Sequence, residues 1–166
     1  MKRHTITILV ENEFGVLARI AGLFSARGYN IESLNVAPTL DPTVSRMTLV
    51  TKGDERVIEQ IKKQLNKLIP VIKVEDLSHE EHMERELLLV KVRAEKETRA
   101  EALRMAEVFR AKVVDVSEES YTFELTGKPK KLDAFVRMLM PLGIIEATRT
   151  GPVGMRRGAV GFVVEE

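Results

Sequence analysis

Asn12 and Asn30 flank an apolar run that opens with Gly15 and closes with Gly28. Val16, Leu17, Ile20, Leu23 and Phe24 recur in it at three-and-four spacing, which predicts a helix over about residues 15–27 with one buried face. The first turn of a helix carries backbone N–H groups without intrahelical partners, at the positive end of the helix dipole. A small carboxylate fits such a place, and Gly15 has no side chain to block it. The amide carbonyls of Asn12 and Asn30 can each accept from an ammonium group. Carboxylate donors with neutral acceptors for an amine describe an amino-acid site. The same residues also describe an ordinary strand–loop–helix whose asparagines only cap and turn, and this segment alone leaves both readings open.

Other constellations carry less. His79 and His82 have a spacing that a metal site permits, but they fall in a polar stretch with no third ligand in view, so no metal site is expected. No glycine-rich phosphate loop and no nucleophile elbow is present. Lys128-Pro-Lys-Lys131 with Arg156-Arg157 could suggest RNA, but base stacking needs aromatics on the central strands, and Tyr121 and Phe123 share the face of Leu125, which reads as core. A small phosphate-cleaving enzyme would need a cation in the loop after the first strand; that loop holds Glu11 and Glu13. No catalytic residue is expected.

The elements that position these residues follow from periodicity. Residues 4–10 alternate as a strand, with Ile6, Ile8 and Val10 on one face and Thr5, Thr7 and Leu9 on the other. Strands are predicted over 30–38 (Leu34 and Val36 on one face), 45–52 (Met47, Leu49) and 71–77 (Ile72 and Val74 toward the core). A second helix carries Val57, Ile58, Ile61, Leu65 and Leu68 and ends at Pro70. The order is β-α-β-β-α-β, the ferredoxin-like unit. It returns about 80 residues later: a strand over 87–94, a helix over 97–110, strands over 112–117 (Val114, Val116 inward) and through Tyr121, Phe123 and Leu125, a helix bearing Leu132, Phe135, Val136 and Leu139, and a last strand over 144–150. The fold class is α+β, two ferredoxin-like βαββαβ units in tandem: residues 1–77, a linker over 78–84, residues 85–151, and a mobile tail over 152–166. Each sheet would leave one face uncovered, carrying Leu9, Asn35, Ala37 and Val50 in the first unit, and the first strand could pair edge to edge with a second copy. Either contact favours a homodimer.

Composition narrows the class. Among 166 residues, 26 Lys and Arg nearly balance 25 Asp and Glu, a net charge of +1 that gives no general attraction to nucleic acid or an anionic membrane. With no cysteine there is no disulfide and no thiolate chemistry. No long apolar run or cleavage site follows Met1, so a cytoplasmic location is expected.

The run Leu9-Val-Glu-Asn-Glu-Phe-Gly-Val-Leu-Ala-Arg-Ile-Ala-Gly-Leu-Phe-Ser-Ala-Arg-Gly-Tyr-Asn-Ile-Glu-Ser-Leu-Asn-Val-Ala-Pro-Thr39 resembles the small regulatory subunits of acetohydroxyacid synthase (acetolactate synthase). So do Asp41-Pro-Thr-Val-Ser-Arg-Met-Thr48, Glu84-Arg-Glu-Leu-Leu-Leu-Val-Lys91, Lys131-Leu-Asp-Ala-Phe135 and Gly151-Pro-Val-Gly154. The resemblance implies that the first unit is an ACT domain, an amino-acid-binding βαββαβ module. It implies a non-catalytic chain that activates a large catalytic subunit and makes it sensitive to feedback by a branched-chain amino acid, usually valine, bound where two ACT domains meet. The cofactors it implies, thiamine diphosphate, a divalent metal and FAD, belong to the large subunit and none to this chain. Carried onto this sequence, Asn12 and Asn30 become polar effector contacts, Gly15, Val16 and Leu17 supply first-turn amides, and Ile31 is an apolar wall. ACT loops often carry proline before this glycine, where this chain has Phe14, an aromatic that could narrow the pocket. An alternative of another class is a stand-alone amino-acid-sensing dimer that controls a different enzyme or transcription.

Overall fold

A computed structural model describes residues 1–165. The chain divides into two compact units, residues 1–83 together with the segment from Val153 onward, and Glu84–Pro152. The first unit runs β1 (Lys2–Glu11), α1 (Val16–Ala26), β2 (Ile31–Pro38), β3 (Val44–Gly53), α2 (Glu55–Leu65) and β4 (Val71–Asp76), a four-stranded antiparallel sheet in the order β2-β3-β1-β4. Ile6, Ile8 and Val10 of β1, Met47 and Leu49 of β3, Val16, Ile20, Leu23 and Phe24 of α1, and Ile58, Ile61 and Leu65 of α2 form one buried core. Periodicity placed these residues correctly because each belongs to an element with a single core-facing side.

The second unit contains most of β5 (His82–Arg93), then α3 (Arg99–Phe109), β6 (Lys112–Val116), β7 (Ser120–Gly127), α4 (Pro129–Leu139) and β8 (Ile144–Arg149), with its main sheet ordered β6-β7-β5-β8. Its core gathers Leu88, Val90, Val92, Tyr121, Phe123, Leu125, Leu132, Phe135 and Leu139. Tyr121 and Phe123 are buried there, so neither offers a face for a base to stack on.

Several expectations are corrected. β1 is an interior strand, bonded to β3 on one side and β4 on the other, so it has no edge to offer a second copy; the edges are β2 and β4. The ladder fixes this, because β1 and β3 pair along the whole length of β1. Ile72 is exposed rather than core-facing. The β1–β4 register shifts between Leu9, opposite Lys73, and Val10, opposite Val71, and the extra residue is Ile72. Val71 packs on the core in its place. A second shift, between Val113 and Asp115, leaves Val114 as the extra residue of β6. Residues 78–84 are not an unstructured linker: a single 3-10 turn spans Leu77–His79, and β5 starts at His82.

The segment after Pro152 is also structured in part. Val153–Arg156 forms β9, and the backbone N–H of Arg157 donates to Glu81 O at 2.9 Å. Leu9 and Val50, expected on an open face, are buried. On that face Arg46 donates through Nε to Thr7 Oγ1 at 3.1 Å and through Nη2 to Gly154 O at 2.7 Å. A Cβ at Gly154 would stand 2.6 Å from Leu77 Cδ1 and 3.4 Å from Thr5 Cγ2, so a larger residue there would have to displace the Leu77 side chain. Arg156 pairs with Glu75 and Glu80, and the Phe162 ring lies 5.3 Å from the Arg46 guanidinium and 5.5 Å from Lys73 Nζ. The tail's last residue, Glu166, lies outside the described residues.

Candidate functional site

Gly15 sets the entry into α1. Its φ of 83° is a left-handed conformation that glycine adopts without steric cost. The first helical hydrogen bond runs from Arg19 N–H to Gly15 O at 3.1 Å, so the N–H groups of Val16, Leu17 and Ala18 precede the ladder. No side chain caps them, and no acidic residue stands in the first turn. The start of α2 is built differently: the Asp54 carboxylate accepts from Val57 N–H at 2.9 Å, and Glu55 follows in the first turn. The N-terminus of α1 thus presents its donors and its positive dipole end to whatever approaches.

Around this turn the polar loop is held by backbone bonds. Glu11 N–H donates to Pro70 O and Asn12 N–H to Thr43 O, both at 2.8 Å. The Asn12 side chain donates through Nδ2 to Pro42 O at 2.9 Å. That use of the amide nitrogen leaves Oδ1, the acceptor an ammonium group needs. Val16 is buried and contributes only its backbone N–H, whereas Leu17 is half exposed. Phe14, at 106% relative exposure, projects away from the first unit's core. Apart from its two chain neighbours, nothing lies within 4 Å of a Cβ built at Gly15.

Asn30 stands elsewhere. Its main-chain carbonyl oxygen accepts from Thr51 Oγ1 at 2.7 Å, and Ile31, paired with Thr51, packs partly on the core. Asn12 is bonded to Thr43, just before β3, and Asn30 to Thr51, near its end. A strand rises about 3.3 Å per residue, so the two asparagines are separated by roughly 25 Å along β3. One chain therefore brings together Asn12, Gly15, Val16 and Leu17, and separately Asn30 and Ile31.

A cluster that sequence spacing did not show joins His4, Asp76 and His79. His4 Nδ1 and Asp76 Oδ2 are 2.8 Å apart and both side chains are buried. Asp76 also accepts from Ser78 N–H at 2.9 Å. Burial pushes its carboxyl toward the neutral form, but the hydrogen bonds from Ser78 and His4 outweigh this and hold its pKa below the usual value. In the second unit, Arg149 donates to both oxygens of buried Glu86, at 2.9 and 2.8 Å, and to Asp133 at 2.5 Å. The hydrogen bond with Glu86 is the main cause that strengthens the guanidinium's hold on its proton. Among the described residues no helix is long and apolar enough to cross a membrane.

Comparison with known proteins agrees with this anatomy. Residues 6–73 match the family model of the acetohydroxyacid synthase small-subunit-like ACT domain, and residues 85–158 match that of the small subunit of acetolactate synthase. The chain is 52% identical over 157 residues to the acetolactate synthase isozyme 3 small subunit of Salmonella typhimurium, covering 94% of this chain and 96% of that protein. It is 51% identical over 156 residues to a probable acetolactate synthase small subunit of Archaeoglobus fulgidus, covering 94% and 98%. The crystal structure of the acetolactate synthase small subunit from Thermotoga maritima superposes with a TM-score of 0.88 at 40% identity, over 96% of this chain and 100% of that one. Two βαββαβ units, an ACT-type first unit and relatives matched end to end together establish that the chain belongs to the family of acetolactate synthase small subunits.

Proposed function

We propose that this chain is the regulatory subunit that binds and activates the large catalytic subunit of an acetolactate synthase and imposes feedback inhibition by a branched-chain amino acid, valine in the first instance. It is not itself the catalyst. Thiamine diphosphate, a divalent metal and FAD would reside in the large subunit, and the effector in this one.

The observation that carries the sensing role is the uncapped N-terminus of α1, with open space beside Gly15. A carboxylate there would receive the N–H groups of Gly15, Val16 and Leu17. The ammonium group would meet the carbonyls of Asn12 and Asn30, and the side chain would lie against Ile31. Because the asparagines stand at opposite ends of β3, a site that uses both draws one from each of two copies. The sheet offers a way to do this. β2 is an edge strand, and antiparallel pairing of two β2 edges would set Ile31 of one copy near Pro38 of the other. Pro38 is opposite Ser45, beside the Pro42–Thr43 turn that holds Asn12. Such a dimer is two-fold symmetric and would carry two equivalent sites.

Inhibition requires that valine bind the inhibited arrangement of the complex more tightly than the active one. A coupling of about 1–3 kcal/mol would shift the balance roughly 5–150-fold, and a site between two copies suits this, since small shifts there reorient whole domains. The test is calorimetric titration of the chain with valine, leucine, isoleucine and serine, followed by reconstitution with a large subunit. Saturable valine binding and valine-sensitive activation are expected. Activation that valine leaves untouched would remove the sensing role and keep only activation.

A further inference from the structure

We propose that His4, Asp76 and His79 form a site for a divalent transition-metal ion, zinc foremost, that ties β1 to the end of β4 and the turn after it. The ligand atoms of His4, Asp76 and His79 all lie within 4.8 Å of one another. His4 Nδ1 is 2.8 Å from Asp76 Oδ2, His79 Nε2 is 3.6 Å from that same oxygen, and His79 Nε2 is 3.0 Å from Glu55 Oε2. Zinc bonds of about 2.0–2.1 Å in a tetrahedron place donor atoms roughly 3.3 Å apart. The two separations to Asp76, 2.8 and 3.6 Å, bracket that value, and the two imidazole nitrogens lie within 4.8 Å of each other.

Access points the same way: His79 is about half exposed, which gives an ion a path in from solvent, while His4 and Asp76 are buried behind it. Two imidazoles and a carboxylate suit zinc, and also nickel or cobalt, over magnesium or calcium, which prefer all-oxygen shells. The inference is independent of the amino-acid site, because it uses none of that site's residues.

The test uses the tag-free full chain, treated with chelator and dialysed. Calorimetric titration with zinc chloride at pH 7 should show one ion per chain, and the thermal midpoint should rise by about 5 °C at saturating zinc. Magnesium chloride should do neither. His79→Ala alters an exposed position and should leave the metal-free midpoint close to that of the unmodified chain, while weakening zinc binding by about tenfold or more through loss of a ligand. His82, which contacts Glu80 O through Nδ1, serves as the control, and His82→Ala should bind zinc unchanged. The absence of saturable zinc binding would reduce the cluster to a buried hydrogen-bonded pair. Binding that survives His79→Ala at unchanged affinity, or that vanishes in His82→Ala, would equally overturn the proposal.

Discussion

At the scale of single residues, Gly15 and Asn30 separate conformation from chemistry. Gly15 faces open space, so steric exclusion is not why a side chain would harm the site. Its φ of 83° and the positive end of the helix are the operative constraints. Asn tolerates that backbone region and Asp nearly as well, so the pair Gly15→Asn and Gly15→Asp differs mainly in charge. We expect Gly15→Asp to abolish valine binding in calorimetry, because its negative charge neutralises the positive helix end and repels the ligand's carboxylate. Gly15→Asn should retain measurable affinity; equal loss in both would assign the effect to the backbone instead. Asn30→Ala should weaken valine binding by about 1–3 kcal/mol if its contact with the ammonium group is buried. A loss well below that range would take Asn30 out of the site.

Elements explain what residue patterns left unresolved. The alternation read in the 71–77 segment and in β6 assumed an unbroken period of two, and each strand contains one extra residue that reverses the faces from that point. A bulge leaves no fixed signature in a run such as Val-Ile-Lys-Val, since either valine or isoleucine can face a core. β9 escaped notice for another reason: its neighbours are far along the chain, and a short glycine-containing strand has no amphipathic period of its own. Arg46 is the anchor that holds it. Arg46→Leu should remove the bond to Gly154 O and the contact with Phe162 together, and should speed tryptic cleavage near Arg156 and Arg157 in limited proteolysis. Cleavage at the unmodified rate would mean that the ion pairs of Arg156 hold the segment by themselves. In the second unit, β8 and α4 are joined to buried Glu86 through Arg149. Arg149→Met would leave the Glu86 carboxylate buried without its partner. Since the guanidinium is partly exposed, we expect a loss of about 1–3 kcal/mol in denaturant unfolding, toward the low side of what breaking a fully buried pair costs.

The scale of the whole molecule brings in the second copy. If each effector site takes Asn12 from one copy and Asn30 from the other, a mixed dimer of an Asn12→Ala chain with an Asn30→Ala chain regains one unaltered site and carries both substitutions in the other. Calorimetry on that dimer should show valine binding at native affinity with half the native stoichiometry. A site contained within one chain would give no native-affinity binding, because every site would then hold one substitution.

The sequence by itself determined the two βαββαβ units, their cores and the family. These rest on local information: apolar periodicity fixes which face of an element is buried, and the motif that carries the family is contiguous. Only the tertiary structure decided that β1 is interior and β2 an edge, that the segment after Pro152 packs back on the first unit, and that the two asparagines lie too far apart to serve one ligand from one chain. It also decided that His79 stands beside His4 and Asp76. Each of these depends on which distant segments the ladder and the core bring together. That is settled by pairing and packing across the whole unit, and spacing along the chain does not encode it.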